Sequence, residues 1–221
     1  MIIVSGHLEF SLIPMFPPYS FHIALFFFIS GYLFKDKYFD NIAEFLKRKT
    51  KGLLVPYYLY TAFYFCVTVV IAKLTGIFLG MPINLKNYII TPFVNGHQLD
   101  LSCPLWFVTQ LFMTLICFLF VFRRLRNFNK WYQTGIFFLL ALISIPLANF
   151  RNDDLMLVVV RILFSMFFVY MGCFYKNFIE GKYNIFTLKW FFGIIVFQSL
   201  LWLTNKDFTP EDGIGLSYVL V

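Results

Sequence analysis

Six residues carry the side chains whose types and spacing suit chemistry. His7 and His22 flank a proline-rich stretch, each beside an apolar run. A neutral imidazole with an ordinary pKa of about 6.5 is the commonest general base, so either can take a proton from a hydroxyl. An interfacial histidine making an ordinary hydrogen bond accounts for each equally well. Arg48 and Lys51 stand one helical turn apart, just before the run LLVPYYLY, and would share a face. Such a pair suits the phosphates of a nucleotide-bearing donor, and it also suits lipid headgroups at a membrane surface. Arg161 lies inside DLMLVVVRILFSMFF, where a charge costs about 2.5–3.5 kcal/mol on insertion scales and therefore faces a cavity, a partner or, by snorkelling, the outer surface. Trp106, in PLWF, opens another apolar run and reads as an aromatic-belt residue or as part of a binding surface.

The elements that must position these residues are membrane helices. Of 221 residues, 60% are hydrophobic and only 13% charged, against roughly 25% charged in soluble domains. The net charge of +7 would suggest nucleic acid in a soluble protein. Here the positive-inside rule accounts for it, and no nucleic-acid partner is expected. The partner implied is the lipid bilayer. Cysteines 66, 103, 117 and 173 show no metal-ligand spacing, and no metal site is expected. There is no phosphate-binding glycine loop and no serine elbow around Ser30.

A span needs about 20 apolar residues. The expected class is all-α, a polytopic transmembrane bundle forming one domain over 1–221. The expected spans are 16–34, 53–72, 104–122, 132–150, 155–175 and 190–204, with a remnant at 1–7 and the start of another near 213–221. The short start and the apolar finish are read as the edges of a larger bundle. Residues from Asp40 to Lys51 read as an amphipathic helix on the membrane surface. Loops 35–52, 123–131 and 176–189 are basic, whereas 8–17, 73–103, 150–154 and 205–212 are not, so the first group is assigned to the cytoplasm.

Taken in order, SGH ending at His7, YSFHIALFFFISGYLF, FLKRKTKGLLVPYYLY, PLWFVTQLF and RILFSMFFVYMGCFYK resemble the acyltransferase-3 family of integral membrane acyltransferases. The similarity is strongest to its fucose 4-O-acetylase-like branch and covers about residues 1–176. The resemblance implies transfer of an acyl group, usually acetyl, from acyl-CoA to a hydroxyl of a carbohydrate or glycoconjugate, in a bacterial inner membrane. It implies acetyl-CoA or another acyl-CoA as co-substrate, with no tightly bound cofactor. His7 matches the family's essential histidine, His22 the histidine opening the second helix, and Arg48 with Lys51 the basic motif before the third. The family places an arginine or another polar residue about three turns before the position of His7, and the sequence starts after that point, so a chain truncated at both ends is expected. The alternatives are succinyl or other acyl transfer by the same architecture, or a non-catalytic truncated membrane protein.

The charge alternation makes a direct prediction. A reporter that is active only outside the cytoplasm should be silent when fused after Arg126 and active when fused after Asp153. The opposite pattern would invert the orientation.

Overall fold

The computed structural model describes residues 22–82, 84–94, 99, 105–150 and 153–182. His7 and the apolar runs 190–204 and 213–221 lie outside the described residues. All regular structure among the described residues is helical, and four helices are long and apolar enough to cross a membrane. The chain is an integral membrane protein of all-α class.

In chain order, α1 is His22–Tyr32 and α2 is Ile42–Lys49. A wide π turn, Thr50–Leu54, joins α2 to α3, Val55–Thr75. Two short helices follow, α4 (Leu85–Ile89) and α5 (Thr91–Val94). Then come α6 (Trp106–Leu125), α7 (Lys130–Leu147) and α8 (Asp154–Phe174), the last continued by a second π turn, Tyr175–Ile179. The chain forms two compact units, Met1–Leu33 with Phe168–Val221, and Phe34–Phe167.

In the first unit α1 meets the end of α8 backbone to backbone. A Cβ added at Gly31 would fall on the Val169 carbonyl, and one at Gly172 on the Phe28 carbonyl. Without a hydrophobic driving force between helices in lipid, close approach through small residues is what gains dispersion energy. The Ser30-Gly31 pair in the apolar run therefore marks a packing surface. The Cys173 thiol donates to the Gly31 carbonyl oxygen at 3.1 Å, and the Tyr32 hydroxyl donates to Glu180 Oε1 at 2.6 Å.

In the second unit an aromatic cluster holds one end together. The rings of Tyr38, Phe39, Phe45 and Phe118 all lie 5.2–5.6 Å from that of Phe34, and Phe118 also meets Phe137. Phe45 is the inward edge of amphipathic α2, whose start is capped by the Asn41 side chain accepting from the Glu44 N–H at 2.9 Å. At the tight turn after α6, the Gln133 amide donates to the carbonyls of Leu125, Arg126 and Phe128. Those acceptors have no helical donors of their own.

The π turn between α2 and α3 has a cause in the sequence. Pro56 lacks an N–H and its ring would strike the Gly52 carbonyl in a regular helix. The chain widens one turn earlier, with the Val55 N–H reaching back to the Thr50 carbonyl. The helix thereby continues through Pro56 rather than breaking.

The glycine contacts set a test of the fold. Gly31→Ala and Gly172→Ala should each lower the thermal midpoint of the detergent-solubilised protein, by an overpacking cost of about 1–3 kcal/mol or more. Gly135→Ala, on α7 with nothing within 4 Å of its added Cβ, should be neutral or stabilising by up to about 1 kcal/mol. Equal midpoints for all three would refute the close packing.

Candidate active site

The connection after α3 decides how the site is built. Gly76 ends the helix at a φ of 76°, a left-handed conformation that a side chain would strain. From there the chain doubles back along α3. Phe78 and Tyr88 both pack edge-on against Phe65, and the Tyr58 hydroxyl lies 3.4 Å from the Ile89 carbonyl oxygen. A few residues on, the Thr109 hydroxyl lies 2.6 Å from the Pro92 carbonyl oxygen and 2.9 Å from that of Trp106. Residues 85–94 are therefore not a loop lying beyond the end of α3. They return alongside its first half and dock on the start of α6. Backbone of this kind is tolerated at membrane depth only where protein or a water-filled cavity covers it.

The same level carries the buried charge. The Arg161 guanidinium carbon lies 4.1 Å from the centroid of the Trp106 ring, and Arg161 is only 3% exposed. Of the readings open in the sequence, snorkelling to the surface is excluded by that burial. The indole is the strongest aromatic partner for a cation, contributing about 2 kcal/mol or more when desolvated. This offsets much of the cost of the charge in an apolar helix. Trp106 thus does more than mark an interface.

Around this pair the interior is polar. Gln110 and Thr114 follow Trp106 at four-residue spacing on α6, and Ser165 follows Arg161 by four on α8, so each set shares a face. Gln110 is 4% exposed, and Thr114 and Ser165 are fully buried. Gln110 Nε2 and the hydroxyls of Thr114, Ser165, Thr61 and Thr68 have no hydrogen-bond partner among the described residues. On α3 the buried positions are Tyr57, Thr61 and Thr68, while Leu59, Phe63, Val70 and Leu74 face outward. Hydroxyls turned inward from a membrane helix mark a polar interior.

The basic residues sit just before the start of α3. Arg48 Nε lies 2.9 Å from Glu44 Oε1, and Lys37 Nζ reaches the same oxygen at 2.9 Å. Arg48 and Lys51 remain exposed, and the π turn that holds Lys51 packs on α6. The Lys49 ammonium lies over the Phe45 ring at 6.0 Å. Along α3, at 1.5 Å per residue, Lys51 and Thr61 are separated by about 15 Å. His22 is the first residue of α1, in the other unit.

The sequence profile of the acyltransferase-3 family, an acyltransferase domain, matches residues 1–220. The chain belongs to the acyltransferase-3 family. No curated protein and no solved structure matches it. Membership makes the chain a membrane acyltransferase and gives the buried constellation a context. Sequence reasoning singled out Arg161 and Trp106 separately, and the structure brings them together. It missed Gln110, Thr114 and Ser165. Their signal was polar residues at four-residue spacing within apolar runs, in register with Trp106 and Arg161.

A double-mutant cycle tests the pair in this acyltransferase-3 member. Trp106→Leu and Arg161→Met should show a coupling of about 0.5–2 kcal/mol in unfolding free energy. Additive effects would show that the stacked geometry contributes nothing.

Proposed function

We propose that this protein transfers an acyl group, acetyl first among them, from acyl-CoA to a hydroxyl of a carbohydrate or glycoconjugate at a bacterial inner membrane. The reading follows the fucose 4-O-acetylase-like branch that the sequence resembles. The observation that carries it is the separation, within one unit, between an exposed cationic cluster and a buried polar level. Arg48 and Lys51 supply one planar fork and one point charge for the phosphates and nucleotide of CoA. The pantetheine arm, extended along α3, covers the distance to the level of Trp106 and Arg161. Glu44 holds Arg48 in place without cancelling the charge of Lys47, Lys49 and Lys51.

In this reading His7 accepts the proton of the acceptor hydroxyl as its oxygen attacks the thioester carbonyl. Negative charge develops on the carbonyl oxygen, and the Arg161 guanidinium stabilises it in a site where water does not screen the interaction. The C–S bond then breaks, the ester forms, and the proton passes from His7 to the departing CoA thiolate. His22 holds the acceptor. No metal and no tightly bound cofactor enters this scheme. Direct transfer is favoured for its economy, and an acyl-histidine route uses the same groups.

Transfer of label from radiolabelled acetyl-CoA to membrane glycans tests the proposal. Cells producing the protein should incorporate label, and His7→Ala should abolish it at equal membrane levels. Arg48→Ala should raise KM for acetyl-CoA about tenfold, the equivalent of one lost charged contact of about 1.4 kcal/mol. Label unaffected by His7→Ala would remove that residue as base. Transfer from succinyl-CoA but not from acetyl-CoA would reassign the acyl group.

A further inference from the structure

The tight turn between α6 and α7 carries charge that neither the fold nor the proposed chemistry uses. Arg123 and Arg124 end α6, Arg126 follows as its C-cap, and Lys130 opens α7. No aspartate or glutamate occurs in the sequence from 101 to 152. The segment that packs on the end of α6, with the Phe39 and Phe122 ring centres 5.3 Å apart, brings three acids: Asp36, Asp40 and Glu44. Glu44 is taken by Lys37 and Arg48, and Asp40 by Arg126 at 3.4 Å. Asp36 pairs with no cation among the described residues. Arg123 and Arg124 are exposed and make no ion pair among the described residues.

These cations stand on a fixed frame. The buried Gln133 amide reaches three carbonyls of the turn, and the Asn129 side chain caps α7 by accepting from the Trp131 N–H at 3.2 Å. Beside them Phe128, Trp131 and Tyr132 are 57%, 68% and 69% exposed. By helical spacing Trp131 shares a face with Phe138 and Leu142, and Tyr132 shares one with Leu139 and Ile143. All four of those apolar side chains are exposed, on a helix long and apolar enough to cross a membrane, so both faces meet lipid. The indole and the phenol therefore stand where the hydrocarbon gives way to headgroups, the level that suits rings with one polar edge. The Lys130 ammonium, 5.7 Å from the centre of the Trp131 ring, puts positive charge at that level. On α6, Arg124 follows the exposed Phe120 by four residues and ends a lipid-facing row in the same way.

Unpaired guanidinium groups beside lipid-facing rings select their partner. A zwitterionic headgroup brings a cation of its own to a place where Arg123 and Arg124 already lack counter-charges. A dissolved phosphate compound would meet the arginines and leave the exposed rings unused. An anionic phospholipid meets both. Its phosphate oxygens accept from the guanidinium forks, and its chains lie along the rows below Trp131 and Tyr132. We propose that the α6–α7 turn is a binding site for an anionic phospholipid, with Arg123 and Arg124 on its phosphate and Trp131 and Tyr132 against its glycerol and upper chains. The lipid supplies the negative charge that the sequence omits between 101 and 152. General attraction of a basic loop to a charged surface needs no particular arrangement of side chains. A site on this rigid turn requires the two arginines and enriches the lipid at one indole.

The test reads which lipid lies next to Trp131. The full chain is reconstituted in nanodiscs of phosphatidylcholine with a minor fraction of phosphatidylglycerol, and the acyl chains of one lipid or the other carry bromine, which quenches indole fluorescence on contact. The signal lost on Trp131→Phe separates this indole from Trp106, Trp190 and Trp202. Brominated phosphatidylglycerol should quench Trp131 roughly fivefold more per molecule than brominated phosphatidylcholine, the enrichment that one basic contact at the surface gives. Arg123→Gln together with Arg124→Gln should bring that ratio close to one. Each single substitution should lower it, which keeps the test decisive should the double variant fail to fold. Equal quenching by the two lipids in the parent protein overturns the site, and so does a ratio that the arginine substitutions leave unchanged. Preferential quenching that CoA or inorganic phosphate relieves at constant ionic strength would give the turn to a dissolved phosphate compound and overturn the lipid assignment.

Discussion

A guanidinium inside hydrocarbon is the constraint to which the second unit answers. Arg161 cannot be neutralised at any ordinary pH, so its charge must be met where it lies. The indole of Trp106 meets it, and this fixes where α6 begins relative to α8. Because α6 begins at that depth, the described residues 84–94 have to come down to it. They do so along α3, through the ring contacts of Phe65 and the hydroxyls of Tyr58 and Thr109. The returning segment, which carries carbonyls at Ile89 and Pro92, is then held by the side chains that face it.

The opposite end of the same unit solves a different problem. Four cations between Lys47 and Lys51 would repel one another and stay in water, so something apolar must hold them to the bundle. Phe45 does this by packing with Phe34 and Tyr38, and those rings close over Phe118 and Phe137. Pro56 enters one turn later and widens the helix at Thr50–Leu54, where π turns are often found at functional sites. The basic residues are thus carried by the same continuous helix that the returning segment packs against. Their spacing along it is set by covalent geometry rather than by a flexible loop. That is the physical reason a donor anchored at Arg48 and Lys51 would present its reactive end at a reproducible level.

How much of this is legible without coordinates follows from what each signal encodes. Apolar runs of membrane length and alternating basic loops report helices and class, and the all-α membrane bundle is readable from them. The special status of Arg161 is readable from its cost alone. Its partner is not, because hydropathy along one helix carries no information about register against another, and Trp106 is 55 residues away with α7 between. The returning segment 85–94 is hidden for a related reason. The glycines and prolines of the surrounding connection, Gly76, Gly80, Pro82, Pro92 and Gly96, announce irregular backbone, but whether such backbone lies outside or re-enters depends on buried contacts such as Thr109 to Pro92. The π turn needed only Pro56 in a helix too long to break. The polar faces of Trp106–Gln110–Thr114 and Arg161–Ser165 were present as four-residue spacings, yet single polar residues in apolar runs are too common to stand out until burial singles them out. His7 lies outside the described residues, and its role rests on the resemblance alone.

The distribution of polarity along the interior suits the proposed acyl transfer. Toward one end the core is phenylalanine and leucine, with Leu115, Phe118, Leu119 and Phe137 fully buried. Toward the other it is hydroxyl, amide and guanidinium. A uniform core of either kind would serve the reaction badly. An apolar core would leave the developing oxyanion unsolvated. A water-filled one would screen the guanidinium and expose the thioester to hydrolysis. In the proposed scheme a buried cation with fixed neutral dipoles beside it would stabilise charge that arises only in the transition state, because those groups need no reorganisation when the charge arrives.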